Sequence, residues 1–150
     1  MFSFFWVADA VHCKQNVSDE TEPTTDPAPV VLNFGGEGEV AGAINVNDMT
    51  AVRRGASFPS PDDKVIEADF RNVPLPDDSA NKIVGNRLPW FSTEEWAGAV
   101  CKEAFRLLKS GGIVQFHATT GGGDACVTWL ERAGFQNVRI VGRHAEGIKP

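Results

Sequence analysis

No tyrosine occurs in the 150 residues, so a mechanism resting on a phenol side chain is excluded. The three cysteines, Cys13, Cys101 and Cys126, are an odd number at wide spacing with no C-x-x-C pair. That argues against a disulfide framework or a zinc site and points to a reducing compartment. His12, His117 and His144 are the only histidines and none are paired at metal-ligand spacing, so no metal is expected. Acidic residues outnumber basic ones by 20 to 14, giving a net charge of −6 with no cluster of Lys and Arg. Non-specific nucleic-acid binding, which needs such a cluster to displace counterions, is therefore not expected. The longest apolar opening, Met1 to Ala8, is far short of the ~20 residues that span a bilayer. It also lacks the basic n-region of a secretory signal. The expectation is a soluble, cytoplasmic protein with no membrane partner, free of internal repeats and coiled-coil heptads.

What is present is ordinary for a globular fold: 42% hydrophobic and 23% charged residues, with a mean hydropathy of −0.18. This length buries roughly 70% of its unfolded surface in one core. Three segments are distinguished. Residues 1–13 hold an aromatic head, Phe2 to Trp6, and residues 14–29 are a polar, proline-interrupted linker. The head either docks on the domain by burial or offers a contact to a partner, a second copy or a longer parent chain. Residues 30–150 form the folded domain.

In that domain short apolar runs alternate with loops. Val30 to Phe34, closed by Gly35-Gly36, suits a buried strand; Ala43 to Asn47, Lys64 to Ala68 and Lys82 to Asn86 follow as strands two to four. Ser92-Thr93-Glu94-Glu95 reads as a capping box for a helix over 92–109. Trp96, Val100, Ala104, Leu107 and Leu108 recur at helical spacing along it, and Gly111-Gly112 is the stop. Ile113 to His117 is a fifth strand, Asp124 to Ala133 a second helix and Gln136 to Val141 a sixth strand. The order predicts an α/β, Rossmann-like, doubly wound and mostly parallel sheet of five to six strands in a three-layer sandwich. Cys101 and Cys126 fall within helices as small core residues.

Ligands of such sheets bind at the carboxyl ends of the strands, where strand order reverses. The first strand-to-loop junction, Asn33-Phe34-Gly35-Gly36-Glu37-Gly38-Glu39, is the place to look. Its glycines allow close backbone approach, while its carboxylates suit an amine or a ribose better than a pyrophosphate. The stretch from Leu32 to Gly36, a short link, then Gly42-Ala43-Ile44-Asn45-Val46-Asn47-Asp48 resembles the opening of compact class I S-adenosylmethionine-dependent methyltransferases. Glu67-Ala68-Asp69-Phe70 followed by Pro74-Leu75-Pro76-Asp77-Asp78-Ser79 is similar to the family's acidic adenine-proximal segment and its Leu-Pro-Phe-Pro-Asp-x-Ser run. Glu103-Ala104-Phe105-Arg106-Leu107-Leu108-Lys109-Ser110-Gly111-Gly112 resembles Glu-x-x-Arg-Val-Leu-Lys-Pro-Gly-Gly, and Ala133-Gly134-Phe135 the Ala-Gly-Phe before strand six. The likeness covers roughly residues 30 to 141, in the family's order.

The resemblance implies S-adenosylmethionine as cofactor and methyl transfer to an unidentified acceptor. It places Gly35 and Gly36 at the methionine end, Asn47 and Asp48 at the ribose and Asp69 at the adenine amine. Asn86 falls beside the transferable methyl group, and His117, at the end of strand five, is a candidate general base. Departures are also visible. Glu37 stands where a glycine is expected, with its side chain in the cofactor's path, and Asn47 where a ribose-binding carboxylate is expected. The helix between strands one and two is missing, and no seventh strand is evident before Pro150. The edge of Gln136 to Val141 is then left for the aromatic head, the tail Arg143 to Ile148 or a second copy to cover. Asn86-Arg87-Leu88-Pro89-Trp90 loosely resembles the Asn-Pro-Pro-Tyr of amino-methylating enzymes, or is an irregular loop around a buried Trp90. Gly121-Gly122-Gly123 reads as a helix entry or a flexible lid. The alternative to an enzyme is a catalytically degenerate binding or interaction module. A third, contextual reading is the carboxyl-terminal domain of a larger secreted bacterial effector, because the segment Gly35 to Asn47 is similar to parts of such polymorphic toxins.

Overall fold

The computed structural model describes residues 26–50, 52–86, 88, 93–117 and 123–150. The aromatic head, residues 14–25 of the linker, Trp90, Ser92 and Gly121-Gly122 lie outside the described residues. The elements in chain order are β1 (Val31–Phe34), β2 (Ile44–Asn47), β3 (Lys64–Glu67), β4 (Ala80–Gly85), α1 (Glu94–Leu107), β5 (Leu108–His117), α2 (Gly123–Ala133), β6 (Gln136–Val141) and β7 (His144–Ile148). One 3-10 turn, Gly55–Ser57, stands between β2 and β3. The strands form one sheet in the order β3-β2-β1-β4-β5-β7-β6. β3, β2, β1, β4 and β5 are mutually parallel, and β7 runs antiparallel to both neighbours, β5 and β6.

The strands expected from the sequence are all present, with one more. The tail from His144 to Ile148 is β7, and it enters between β5 and β6 instead of covering the outside of β6. The two amides that flank it continue the ladder: Gly111 N–H donates to Lys149 O at 2.8 Å and Lys149 N–H to Gly112 O at 2.9 Å. The last strand thus fills the gap that would have left β5 without a partner on that side.

The capping expectation shifts by one residue. Thr93 is the N-cap of α1, its Oγ1 accepting the Trp96 amide at 3.3 Å, with Glu94 and Glu95 in the first turn beside the helix's positive end. The helix stops at Leu107, earlier than the glycine pair, because Leu108 turns to extended backbone and opens β5 directly. Gly111, at φ +78°, belongs inside that strand. Gly112 has no room for a Cβ, which would stand 2.8 Å from the Lys109 carbonyl oxygen.

Alternation sorts the sheet into two unlike faces. Leu32, Phe34, Val46, Ile83, Val114, Phe116 and Ala145 point one way and pack with Val100, Cys101, Ala104 and Leu107 of α1 and Cys126 and Leu130 of α2. Each fully buried Leu, Val or Phe there contributes about 1.5–3 kcal/mol. Cys101 and Cys126 are core residues as expected; burial raises both thiols, Cys126 to about 12. The opposite face is mixed: Asn45, Asn33, Lys82, Gln115, Glu146 and Arg139 alternate out of the same strands beside Val84, Ile113 and Ile148. Gln115 donates to Glu146 at 2.6 Å, and Arg139 pairs with Glu146 at 3.2 Å. Of the three layers expected, the described residues supply the sheet and one helical layer. The described residues of the links β1–β2, β2–β3 and β3–β4 are loops with a single 3-10 turn, so among the described residues that face has no helix to bury against.

Candidate functional site

The chain leaves β1 through a turn whose shape is dictated from below. Gly35 sits at φ +68°, and its amide donates to Val46 O at 2.9 Å. A Cβ on Gly36 would lie 2.2 Å from Asn33 Nδ2 and 2.5 Å from Asn45 Oδ1. These two asparagines are buried under the turn and joined at 3.3 Å, and Asn45 Oδ1 also accepts the Gly38 amide at 3.0 Å. An asparagine in the middle of an apolar strand was the available signal for this support, and sequence reasoning passed it over.

Glu37 does not project from the turn. It is 3% exposed, and its carboxylate faces the chain after β2, accepting the Arg53 amide on Oε1 and the Arg54 amide on Oε2, each at 2.6 Å. The Arg54 guanidinium donates back to the Glu37 carbonyl oxygen and pairs with Asp63 at 3.1 Å. The Ser60 amide, and then Arg54, hold the Asp63 carboxyl below its usual range. Asn47 is likewise committed, its Nδ2 donating to Gly36 O at 3.2 Å and its Oδ1 accepting the Met49 amide at 3.0 Å. Gly35, Gly36, Glu37 and Asn47 are therefore brought together in one hydrogen-bonded unit.

Asp48 and Asp69 differ from these because they face outward. Thr50 donates its amide and hydroxyl to Asp48, both onto Oδ1, at 3.0 and 2.8 Å, which leaves Oδ2 for a ligand. Asp69 is forked by Arg71, Nε to Oδ1 at 2.9 Å and Nη2 to Oδ2 at 2.6 Å, and this pair holds its carboxyl below the usual range. The fork is about half exposed, so it competes only weakly with an incoming hydrogen-bond donor.

Asn86 and His117, at the carboxyl ends of β4 and β5, are joined by a third residue that the sequence reading did not single out. His144 lies directly across from His117 in the antiparallel register, with ring centroids 5.6 Å apart. Its Nε2 stands 3.1 Å from Asn86 Oδ1. Burial, then His117 and Lys82, push the His144 imidazole below its usual value, partly offset by Glu146. The strand that carries His144 was not evident in the sequence, so neither was this neighbour.

The Glu-x-x-Arg motif proves to be a loop clamp. Glu103, 8% exposed, accepts the Val73 amide at 2.8 Å and pairs with Arg106 at 2.6 Å. Arg106 then donates to Val73 O, Leu75 O and Asp77 at 3.0, 2.9 and 2.7 Å. The β3–β4 connection is thereby fastened to α1 along Val73, Leu75 and Asp77.

No family model matches the chain, and no curated protein matches it. Solved structures do. Human N-acetylserotonin methyltransferase in complex with SAM aligns at a TM-score of 0.63 and 16% identity over 81% of this chain and 47% of that one. A TehB-like SAM-dependent methyltransferase from Corynebacterium glutamicum aligns at 0.63 and 16% over 81% and 80%. A SAM-dependent methyltransferase from Thermotoga maritima, described as a possible histamine N-methyltransferase, aligns at 0.62 and 16% over 84% of each. Against the human enzyme, and against another SAM-dependent methyltransferase, SibL, the chain spans about half the length of the matched structure, 47% and 50%. The fold is that of class I S-adenosylmethionine-dependent methyltransferases, with the seventh strand in place.

Proposed function

We propose that the chain binds S-adenosylmethionine across the carboxyl ends of β1, β2 and β3 and transfers its methyl group to an acceptor held beside β4 and β5. The observation that carries this reading is the location of the glycine turn. From β1 the chain winds outward through β2 to β3, and from β4 it winds the other way to β5, so the turn stands at the reversal of strand order. Two outward carboxylates, Asp48 and Asp69, follow the next two strands.

The residues present suit such a ligand. Asp48 Oδ2 and the Asp69 carboxylate accept hydrogen bonds only, which matches ribose hydroxyls and an exocyclic amine. Gly35, in the left-handed region at φ +68°, and Gly36, seated on Asn33 and Asn45, supply the backbone at the methionine end. Glu37 and Asn47 support the turn from behind and are not assigned a direct contact. When bound, the cofactor supplies a methyl group already activated on a sulfonium, which leaves the protein the tasks of aligning the acceptor and excluding water. Asn86, His117 and His144 stand on the acceptor side of the same edge.

Titration calorimetry of the full chain with S-adenosylmethionine and S-adenosylhomocysteine tests the reading. Both are expected to bind, and Asp69→Ala is expected to weaken them by about 1–3 kcal/mol. Absence of binding for either ligand at about millimolar concentration, roughly −4 kcal/mol, would overturn it.

A further inference from the structure

We propose that Glu37 is a positioning residue for the ribose end of the cofactor. It fixes where Asp48 stands, so that the glycine turn and the segment carrying Asp48 receive the two ends of one ligand as a single unit. The inference rests on the cofactor reading above, because it concerns how the same site recognises that ligand.

The chain leaving β2 is pinned at two points to adjacent residues of the turn. At the start, Asn47 Nδ2 donates to Gly36 O at 3.2 Å. Further on, the Arg53 and Arg54 amides donate to the Glu37 carboxylate, each at 2.6 Å. Asp48 lies between the two pins and is exposed. Glu37 is itself held by its main chain: the Glu39 carboxylate accepts its amide at 2.7 Å, and the Arg54 guanidinium donates to its carbonyl oxygen. A Cβ on Gly38 would run into that guanidinium and into Asp63 Oδ1, so the turn closes tightly over the second pin. A charged acceptor for two consecutive amides is a strong fastening at a position only 3% exposed.

The segment between the pins does not take its shape from local preference alone. Met49 stands at φ +63°, in the left-handed region that a side chain disfavours, and a residue stays there when its surroundings over-determine it. Those surroundings are Asn47 Oδ1, which accepts the Met49 amide at 3.0 Å, and the Glu37 pin beyond. With Glu37 in place, Asp48 Oδ2 is ordered before the ligand arrives, and the cost of ordering falls on folding instead of on binding. Without the carboxylate, the far end of the segment is released and the ligand has to order Asp48 as it binds. The loss is confined to ligands whose ribose hydroxyls Asp48 accepts from. Asp69, at the adenine end, is held by its own fork with Arg71 and lies outside this brace.

S-adenosylhomocysteine and its analogue lacking both ribose hydroxyls are the probes, titrated by calorimetry into the full chain. Asp48→Ala is expected to weaken S-adenosylhomocysteine roughly tenfold, the loss of one charge-assisted hydrogen bond, and to leave the analogue within about twofold. Glu37→Gln is expected to show the same split, and the double variant to bind no more weakly than Asp48→Ala alone. In the unchanged chain, saturating S-adenosylhomocysteine is expected to slow hydrogen exchange at the Arg53 and Arg54 amides more than the saturating analogue does. That measurement needs no variant, and it decides alone if Glu37→Gln shows no cooperative unfolding transition. If Glu37→Gln leaves S-adenosylhomocysteine binding unchanged or weakens both ligands alike, this proposal falls and the cofactor reading stands. The same holds if its loss adds to that of Asp48→Ala, or if both ligands protect the two amides alike. If S-adenosylhomocysteine does not bind the unchanged chain at about millimolar concentration, both fall.

Discussion

Glu37 and Arg54 hold each other in both directions: the Arg54 amide donates to the Glu37 carboxylate at 2.6 Å, and the Arg54 guanidinium donates to the Glu37 carbonyl oxygen. A side chain of each residue thus satisfies the main chain of the other. This reciprocity ties the glycine turn to the segment after β2, two stretches with no ladder between them, and it accounts for a carboxylate at a position where a small residue would otherwise suffice.

Glu37→Ala removes the acceptor for two part-buried amides, Arg53 and Arg54. The expected loss is about 2 kcal/mol or more in the urea unfolding free energy, with Glu37→Gln losing less because one amide keeps an acceptor. The sequence alone suggests that Glu37→Gly opens the turn and strengthens cofactor binding. The brace argues for the opposite sign, because the segment after β2 is released, and calorimetry with S-adenosylmethionine decides between them.

Gly36→Ala forces a methyl group onto Asn33 and Asn45, whose amide atoms lie 2.2 and 2.5 Å from the Cβ position. Both asparagines are buried and hydrogen-bonded, so neither moves without breaking its partner's bond. A destabilisation of about 1–3 kcal/mol is expected in thermal or urea unfolding. An unchanged midpoint would show that the pair is mobile.

Glu103 and Arg106 act as one unit. Arg106→Ala leaves the Glu103 carboxylate buried without its cation and frees the Val73 and Leu75 carbonyls. A loss of about 1–3 kcal/mol is expected, the cost of leaving part-buried hydrogen-bonding groups without their partner. The double variant Glu103→Gln with Arg106→Leu should lose less than the sum of the two single changes.

Acid should unfold the chain in two steps of the same sign. The folded state keeps His144 neutral, so the unfolded chain takes up a proton there first; stability is full above about pH 6.5 and falls below it, toward the lowered folded value. Asp63, Asp69 and Glu146 are held below the usual carboxylate range by the Ser60 amide, Arg71 and Gln115 respectively. Their contribution is present above about pH 4 and is lost as pH falls through their folded values. Thermal unfolding followed from neutral pH downward should show both declines, and His144→Gln should remove the upper one alone.

The parallel strands were legible because each is a short β-rich run between glycine or proline breaks, as in Val31–Phe34 before Gly35-Gly36. The first helix was legible from its spacing, although its cap moved from Ser92 to Thr93 and its end moved back to Leu107. The missed start of β5 has a physical cause: Leu108, Lys109 and Ser110 carry no alternation, and it is the pairing of Leu108 with Ala80 of β4, before a register shift, that extends the strand back to them. The missed β7 has another. His-Ala-Glu-Gly-Ile holds a glycine and a single large apolar residue, and it becomes a strand through the partners on its two sides. At the site, strand order in the sequence put Gly35, Gly36, Asn47, Asp48, Asp69, Asn86 and His117 near the carboxyl ends of strands, where they stand in the structure, and missed His144. It could not show that Glu37 and Asn47 spend their hydrogen bonds inward, because that depends on where the chain after β2 returns.

The insertion of β7 also makes the edge of the sheet a single hairpin. β6 and β7 are joined by residues 142–143 alone, with Val141 opposite His144, so the two strands can pair locally before either meets the rest of the sheet. β6 touches the sheet only through β7, so the hairpin docks on β5 as one piece, across a connection that includes α2. Exposed Ile140 and Val141 ride on its outer strand. Any event that withdraws β7 from β5 takes β6 with it and carries His144 away from Asn86.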